Sequence, residues 1–176
     1  VNDPKVATVV RRCQQLPGQL LFQYEDEAGE LHAVGSSDVN GYLSEITASR
    51  RKGEEHFTAK DFRTWHGTVQ ALEFTRLACT GNIENAYDAK SMLAEVARQL
   101  GNTPAVCKKS YIHPAVMSLG SELASGANAM AGIWDEIGAG KPARYLRAAE
   151  TRLMTFLDAK KKRAGKGTST RRLKTT

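Results

Sequence analysis

Phe57-Thr58-Ala59-Lys60-Asp61-Phe62-Arg63-Thr64-Trp65-His66-Gly67-Thr68 reads as the beginning of a long helix. Thr58 and Asp61 have the spacing of a capping box, in which the hydroxyl serves an exposed amide and the carboxylate reaches back. Helix formation is expected from Ala59. Phe62, Trp65, Val69 and Leu72 recur at three- and four-residue steps and form the expected buried face. Arg63 is displaced from that face by about 100° and shares its side of the helix with His66, Gly67 and Gln70. A cation, a possible donor and a residue without a side chain near a helix start make a candidate phosphate seat. The plainer reading of Arg63 is a solvated surface cation.

Downstream, a second helix is expected from Ile83 or Glu84 to Leu100, with Ala86, Ala89, Leu93, Val96, Ala97 and Leu100 inward and Gly101 as its stop. Thr103-Pro104 then gives an N-cap with Pro at the first helical position, opening a short helix through Lys109. Asn102 lies in the joint, where its amide can serve the turn or donate to a phosphate oxygen. In Lys108-Lys109-Ser110-Tyr111-Ile112-His113-Pro114 a Tyr follows two cations and precedes a break imposed by Pro. Lone tyrosines usually serve packing. A phenol that ordinarily titrates at about 10 is also a candidate nucleophile where nearby cations favour its phenolate.

On the N-terminal side, Val6, Val9, Val10 and Cys13 share a helical face that ends at Pro17-Gly18. Leu20–Tyr24 and Leu31–Val34 read as a short hairpin, the one plausible sheet in a chain otherwise patterned as helix. Ser36 or Ser37 is placed to cap a helix carrying Val39, Tyr42, Leu43 and Ile46, and Ser49–Glu55 follows as a polar loop. Near the C-terminus, Ile133 and Trp134 precede Gly138, Gly140 and Pro142. Tyr145, Leu146, Ala149, Leu153, Phe156 and Leu157 then mark a final amphipathic helix.

The 176 residues are 41% hydrophobic and 25% charged, with no apolar run long enough for a membrane span. The formal charge of +6 is unevenly spread. Eight of the 25 basic residues lie between Lys160 and Lys174, which leaves 17 against all 19 acidic residues, a balance of −2, in residues 1–159. The basic tail is a candidate polyanion-holding segment; the rest is not a basic surface by composition. Cys13, Cys79 and Cys107 are three widely spaced cysteines, which fits neither a disulfide framework nor a zinc site. No metal-ligand spacing, Gly-rich phosphate loop or Ser/His/Asp set points to a metalloenzyme or a nucleotide hydrolase. No segment reads as a signal peptide, and the first residue is Val1 rather than Met, as for an alternative start or a piece of a longer chain.

Phe57–Thr68, followed at a distance by Leu100-Gly101-Asn102-Thr103-Pro104-Ala105-Val106-Cys107-Lys108-Lys109-Ser110-Tyr111-Ile112-His113-Pro114, resembles bacterial, poxvirus-like type IB DNA topoisomerases. Both segments match in order, and the resemblance extends over roughly residues 5–125. It implies a mainly α fold, the helical catalytic domain shared with tyrosine recombinases. It also implies that Tyr111 attacks a backbone phosphodiester to form a 3′-phosphotyrosyl link. Arg63 would be a catalytic arginine, and Asn102 would occupy a phosphate-contacting position held by His in poxvirus and eukaryotic relatives. Lys60, three residues before Arg63 where recombinases typically carry His, favours topoisomerase. Lys60, Lys108, Lys109 and His66 are the expected DNA-binding side chains.

The resemblance further implies an upstream catalytic Arg and a hairpin Lys acting as general acid, for which this chain has no matching segments. Residues 1–159 are therefore expected to be the C-terminal catalytic portion of a longer enzyme, and 160–176 a flexible basic tail. The expected activity is ATP-independent relaxation of supercoiled double-stranded DNA by a cytoplasmic, nucleoid-associated monomer. No metal, nucleotide or other cofactor is expected, and no membrane. The alternatives are a tyrosine recombinase or integrase, and a DNA-binding fragment without chemistry.

Overall fold

The computed structural model describes residues 3–48, 56–79, 87–124, 134, 137–138 and 144–169. Ala86, Ile133, Gly140, Pro142, the helix start at Ile83 or Glu84, the loop Ser49–Glu55 and residues 170–176 lie outside that set. The described residues are mainly helical with one short hairpin, the fold class expected from the sequence. They form two compact units, residues 1–61 and residues 62–176.

In the first unit, Asp3 caps α1 (Pro4–Gln15) by accepting the Lys5 and Val6 N–H groups at 2.8 and 3.2 Å, with Pro4 at the first helical position. The hairpin pairs β1 (Gln23–Glu25) with β2 (Leu31–Ala33), antiparallel, with Tyr24 opposite His32. Asp26 shapes its turn by accepting the Ala28 and Glu30 N–H groups at 3.0 and 2.9 Å. Leu20–Phe22 lie outside the strand, which begins only at Gln23; that side chain is buried and donates to the Pro17 carbonyl at 2.8 Å. Helix α2 (Ser36–Thr47) is capped by Gly35, not by Ser36 or Ser37, because the Asp38 carboxylate accepts the Gly35 N–H at 2.8 Å. Val39, Tyr42 and Ile46 are exposed, and neither α1 nor α2 has a fully buried residue.

Helix α3 (Ala59–Cys79) begins where the capping box placed it. Asp61 accepts both the Thr58 N–H (2.8 Å) and the Thr58 hydroxyl (2.6 Å), while the Ala59 N–H goes to Asn40 Oδ1 at 3.0 Å. Its buried residues are Gly67, Thr68, Val69, Ala71, Leu72 and Thr75. Phe62, expected in the core, is 52% exposed. The inner face is made largely of small residues that let neighbouring segments come close, a pattern that apolarity alone does not mark.

The core of the second unit joins α3 to four further helices: α4 (Ala89–Leu100), α5 (Pro104–Ser110), α6 (Pro114–Ala124) and α7 (Ala148–Ser169). Leu72, Met92, Val96, Cys107, Val116, Leu119, Leu153 and Phe156 interlock there, fully buried. Burying each of the larger side chains contributes about 1.5–3 kcal/mol. Asp88 accepts the Lys90 and Ser91 N–H groups, so α4 starts at Ala89 rather than at Ile83 or Glu84, and Met92 joins its inner face while Ala89 is exposed. Gly101, at φ 64° and ψ 39°, ends α4 as expected, and Thr103 with Pro104 opens α5. Tyr145, placed in the last helix by its periodicity, lies before it at φ 71° and is 88% exposed. Helix α7 continues to Ser169, past the change in charge at Lys160.

Helices α3 and α7 are joined by an ionic bridge. Glu73 accepts from Arg152 Nε and Nη2 at 2.6 and 2.8 Å and from Arg76 Nη2 at 3.0 Å. Burial pushes the Glu73 carboxyl up, but the hydrogen bonds from Arg152 and Arg76 outweigh it and leave the group below its usual range. A carboxylate depressed by folding contributes stability above its unfolded pKa and loses it as the pH falls through the folded one. Glu73→Gln is expected to cost about 1–3 kcal/mol at pH 7. In denaturant titrations the gap from the native protein should narrow below the ordinary carboxylate range; a gap constant from pH 7 to pH 3 contradicts this.

Candidate active site

Three elements of the second unit bring Arg63, Asn102 and Tyr111 together. Arg63, half-buried in α3, donates from Nη2 to the Leu100 carbonyl at 2.7 Å. Asn102 donates from Nδ2 to the same oxygen at 3.2 Å. That oxygen belongs to the last turn of α4, where carbonyls lack intrahelical partners and the helix dipole is negative, so a guanidinium is favoured there. The Arg63 guanidinium carbon lies 5.1 Å from the centre of the Tyr111 ring, a cation–π arrangement. Tyr111 itself caps α5, its N–H donating to Cys107 O at 3.0 Å, and its ring is half-buried.

The surrounding residues fix the backbone of that cap. Gly67 is buried so close to it that a Cβ would stand 2.7 Å from the Tyr111 carbonyl oxygen and 3.0 Å from Leu100 Cδ1. The Thr64 hydroxyl donates to Ser110 O at 3.3 Å, and the Thr68 hydroxyl accepts the His113 N–H at 3.1 Å. These contacts were not legible beforehand, because their partners are backbone atoms and Thr scores as neutral in an amphipathic pattern. Two threonines one helical turn apart, immediately after the arginine, were the available signal.

The remaining expected site residues are arranged as follows. Lys108 and Lys109 are exposed on the last turn of α5 and, with Thr64, His113 and Met117 among others, line an open pocket of about 390 Å³. Cations at a helix C-terminus also suit the dipole. Lys60 is exposed in the first turn of α3. His66 is exposed and pairs with Gln70 at 2.6 Å rather than joining the Arg63 cluster. Its neighbour Trp65 donates to Glu150 at 3.1 Å; the Arg147 N–H and this indole, with His66 nearby, hold the Glu150 carboxyl below its usual range.

Chemically, the cluster offers two hydrogen-bond donors, one of them cationic, beside a phenol. Among the described residues the phenol hydroxyl makes no hydrogen bond, and the ring is half-buried beneath the Arg63 guanidinium. The nearby Cys107 is buried, and burial pushes its thiol up despite the opposing charge of Arg63, which makes it a poor nucleophile. Among the described residues no group of three or more His, Cys, Asp and Glu side chains could hold a metal ion, and no helix is long and apolar enough to cross a membrane.

A family model described as eukaryotic DNA topoisomerase I, catalytic core, matches residues 2–131, a span that contains Arg63, Asn102 and Tyr111. A DNA topoisomerase 1B of Acanthamoeba polyphaga mimivirus is 34% identical over 118 residues, covering 58% of this chain. The match takes in 32% of that relative, so this chain spans about a third of its length.

Proposed function

The chain belongs to the type IB DNA topoisomerase family, and on that premise we propose that it acts as the catalytic portion of an enzyme that relaxes supercoiled duplex DNA. The observation that carries the proposal is the convergence of Arg63 and Asn102 on one carbonyl oxygen with the Tyr111 ring beneath the guanidinium. Three separate elements supply these groups, and a phosphodiester needs this combination of nucleophile and donors.

In the proposed reaction the Tyr111 oxygen attacks the scissile phosphorus and gives up its proton, and the bond to the 5′ oxygen breaks. Arg63 and Asn102 donate to nonbridging oxygens, where negative charge grows in the pentacoordinate transition state. The product is a 3′-phosphotyrosyl link and a 5′-hydroxyl strand free to swivel; attack by that hydroxyl reverses the step. Each phosphodiester broken is exchanged for another ester, so no ATP is consumed. Lys60, Lys108, Lys109 and His66 are proposed to bind the flanking backbone. The resemblance assigns the proton donor for the 5′ oxygen to a Lys, and a second stabilising contact to an Arg, at positions with no match in this chain. The proposed active site is completed by a segment that carries them, in a nucleoid-associated monomer.

The direct test is incubation of the full-length protein with supercoiled plasmid in EDTA without nucleotide. Relaxed topoisomers are expected. An unchanged plasmid, or products joining two duplexes as a recombinase would make, contradicts the proposal.

The basic end of α7 is proposed to add affinity without sequence preference. Lys160 is tied to Glu122 at 2.7 Å and lies over the Phe156 ring, whereas Lys161 and Lys162 are exposed. Deleting residues from Lys161 onward should lower the slope of log affinity against log salt by about 0.9 for every duplex phosphate those cations neutralise. An unchanged slope would leave these cations without a role in binding.

A further inference from the structure

Helix α3 carries Arg63 and, one and five residues later, the two threonines that hold the backbone on either side of Tyr111. Thr64 Oγ1 donates to Ser110 O at 3.3 Å. Thr68 Oγ1 lies 2.7 Å from Thr64 O, accepts the His113 N–H at 3.1 Å and is 3.4 Å from Tyr111 O. A hydroxyl has one proton and two lone pairs. The short contact therefore takes the proton within the helix, and the lone pair facing His113 makes the tether between helix and turn. Gly67 stands between the threonines, with room for no side chain against Tyr111 O.

Thr68 is 3% exposed, beside Val69 and Leu72 in the core. Packing alone gives no reason for an oxygen there, since Val has nearly the same shape and no polar atom to desolvate. Beyond its own helix, the hydrogen-bond partner of that oxygen is the His113 N–H, in the turn that follows the phenol.

We propose that Thr68 is a positioning residue for strand cleavage: its hydroxyl seats the Tyr111 turn on α3 and so fixes the phenol relative to the guanidinium carried by the same helix. The proposal rests on Tyr111 being the nucleophile. In-line attack demands near-attack geometry, and a misplacement of about 1 Å can cost about 10²-fold in rate. The hydroxyl should therefore govern the rate of cleavage and not the grip on DNA.

The experiment is single-turnover cleavage of a suicide duplex oligonucleotide by full-length protein, with DNA affinity measured separately. At saturating DNA, Thr68→Val should cleave about 10–10² times more slowly with affinity within about twofold of native, and Thr68→Ser, which keeps the hydroxyl, should stay within about threefold in rate. Cleavage by Thr68→Val at the native rate overturns the proposal. So does a Thr68→Ser rate as low as that of Thr68→Val, which would assign the effect to the packing of the methyl group. Should Thr68→Val not fold, Thr68→Ala takes its place with the same expected loss and the same overturning result. A Tyr111→Phe protein that still formed adduct would instead remove the nucleophile assignment, a result independent of how the Thr68 variants compare.

Discussion

Tyr111→Phe is expected to form no covalent DNA adduct while binding DNA as the native protein does. The hydroxyl makes no hydrogen bond among the described residues, and the half-buried ring would keep its place beneath Arg63. Removing one oxygen therefore costs little stability but removes the nucleophile altogether, and no other group near the cluster replaces it. Cys107 is buried with its thiol pushed up, and Lys108 and Lys109, in the last turn of α5 that Tyr111 caps, are exposed cations. Denaturing gels read the adduct and a filter-binding titration reads the affinity. Persistent adduct in this variant would take Tyr111 out of the role.

The second large effect is expected at Arg63. Its guanidinium is held at 2.7 Å from the Leu100 carbonyl, and among the described residues this is its one hydrogen bond, which leaves most of its five donors for a phosphate. Arg63→Ala should slow cleavage by about 10²–10³-fold, the usual cost of losing one preorganised donor at developing negative charge. Arg63→Lys should recover little of it, since a single ammonium cannot both hold the Leu100 oxygen and present a planar fork. Folding should survive, because Asn102 still donates to that carbonyl. A rate loss below tenfold would make Arg63 a residue that orients the Tyr111 ring and nothing more.

The parts of the fold that could be read in the sequence are those set by local hydrogen bonding. Asp61 with Thr58 fixes the start of α3, Gly101 the end of α4, and Thr103 with Pro104 the start of α5, and each acts on amides or carbonyls within a few residues. Where the local signal was ambiguous, the expectation missed. Gly35 rather than a serine caps α2 because Asp38 serves its N–H, and Asp88 overrides the apolar residues before it as the start of α4. Side-chain periodicity located helices but not their partners, so Phe62, Val39 and Ile46 are exposed although they lie on apolar stripes.

Legibility of the candidate site follows the same division. Arg63, Asn102 and Tyr111 were found by their place in two motifs, and the structure brings them together. The devices that hold them are the Leu100 carbonyl, the absent side chain of Gly67 and the Thr68 hydroxyl, each acting on or through backbone atoms 30 or more residues away in sequence. Nothing in residue type announces such a contact. His66 shows the converse: it shares a helical face with Arg63, yet it pairs with Gln70.

The central claim is that Tyr111 becomes joined to the 3′ end of a broken DNA strand. Its most direct measurement is mass spectrometry of the adduct trapped on a duplex oligonucleotide, after proteolysis and nuclease trimming, with each DNA end labelled in turn. The expected result is one modified peptide containing Tyr111, linked through a 3′ phosphate, and a released strand bearing a 5′ hydroxyl. Attachment at any other residue, or through a 5′ phosphate, would contradict the account.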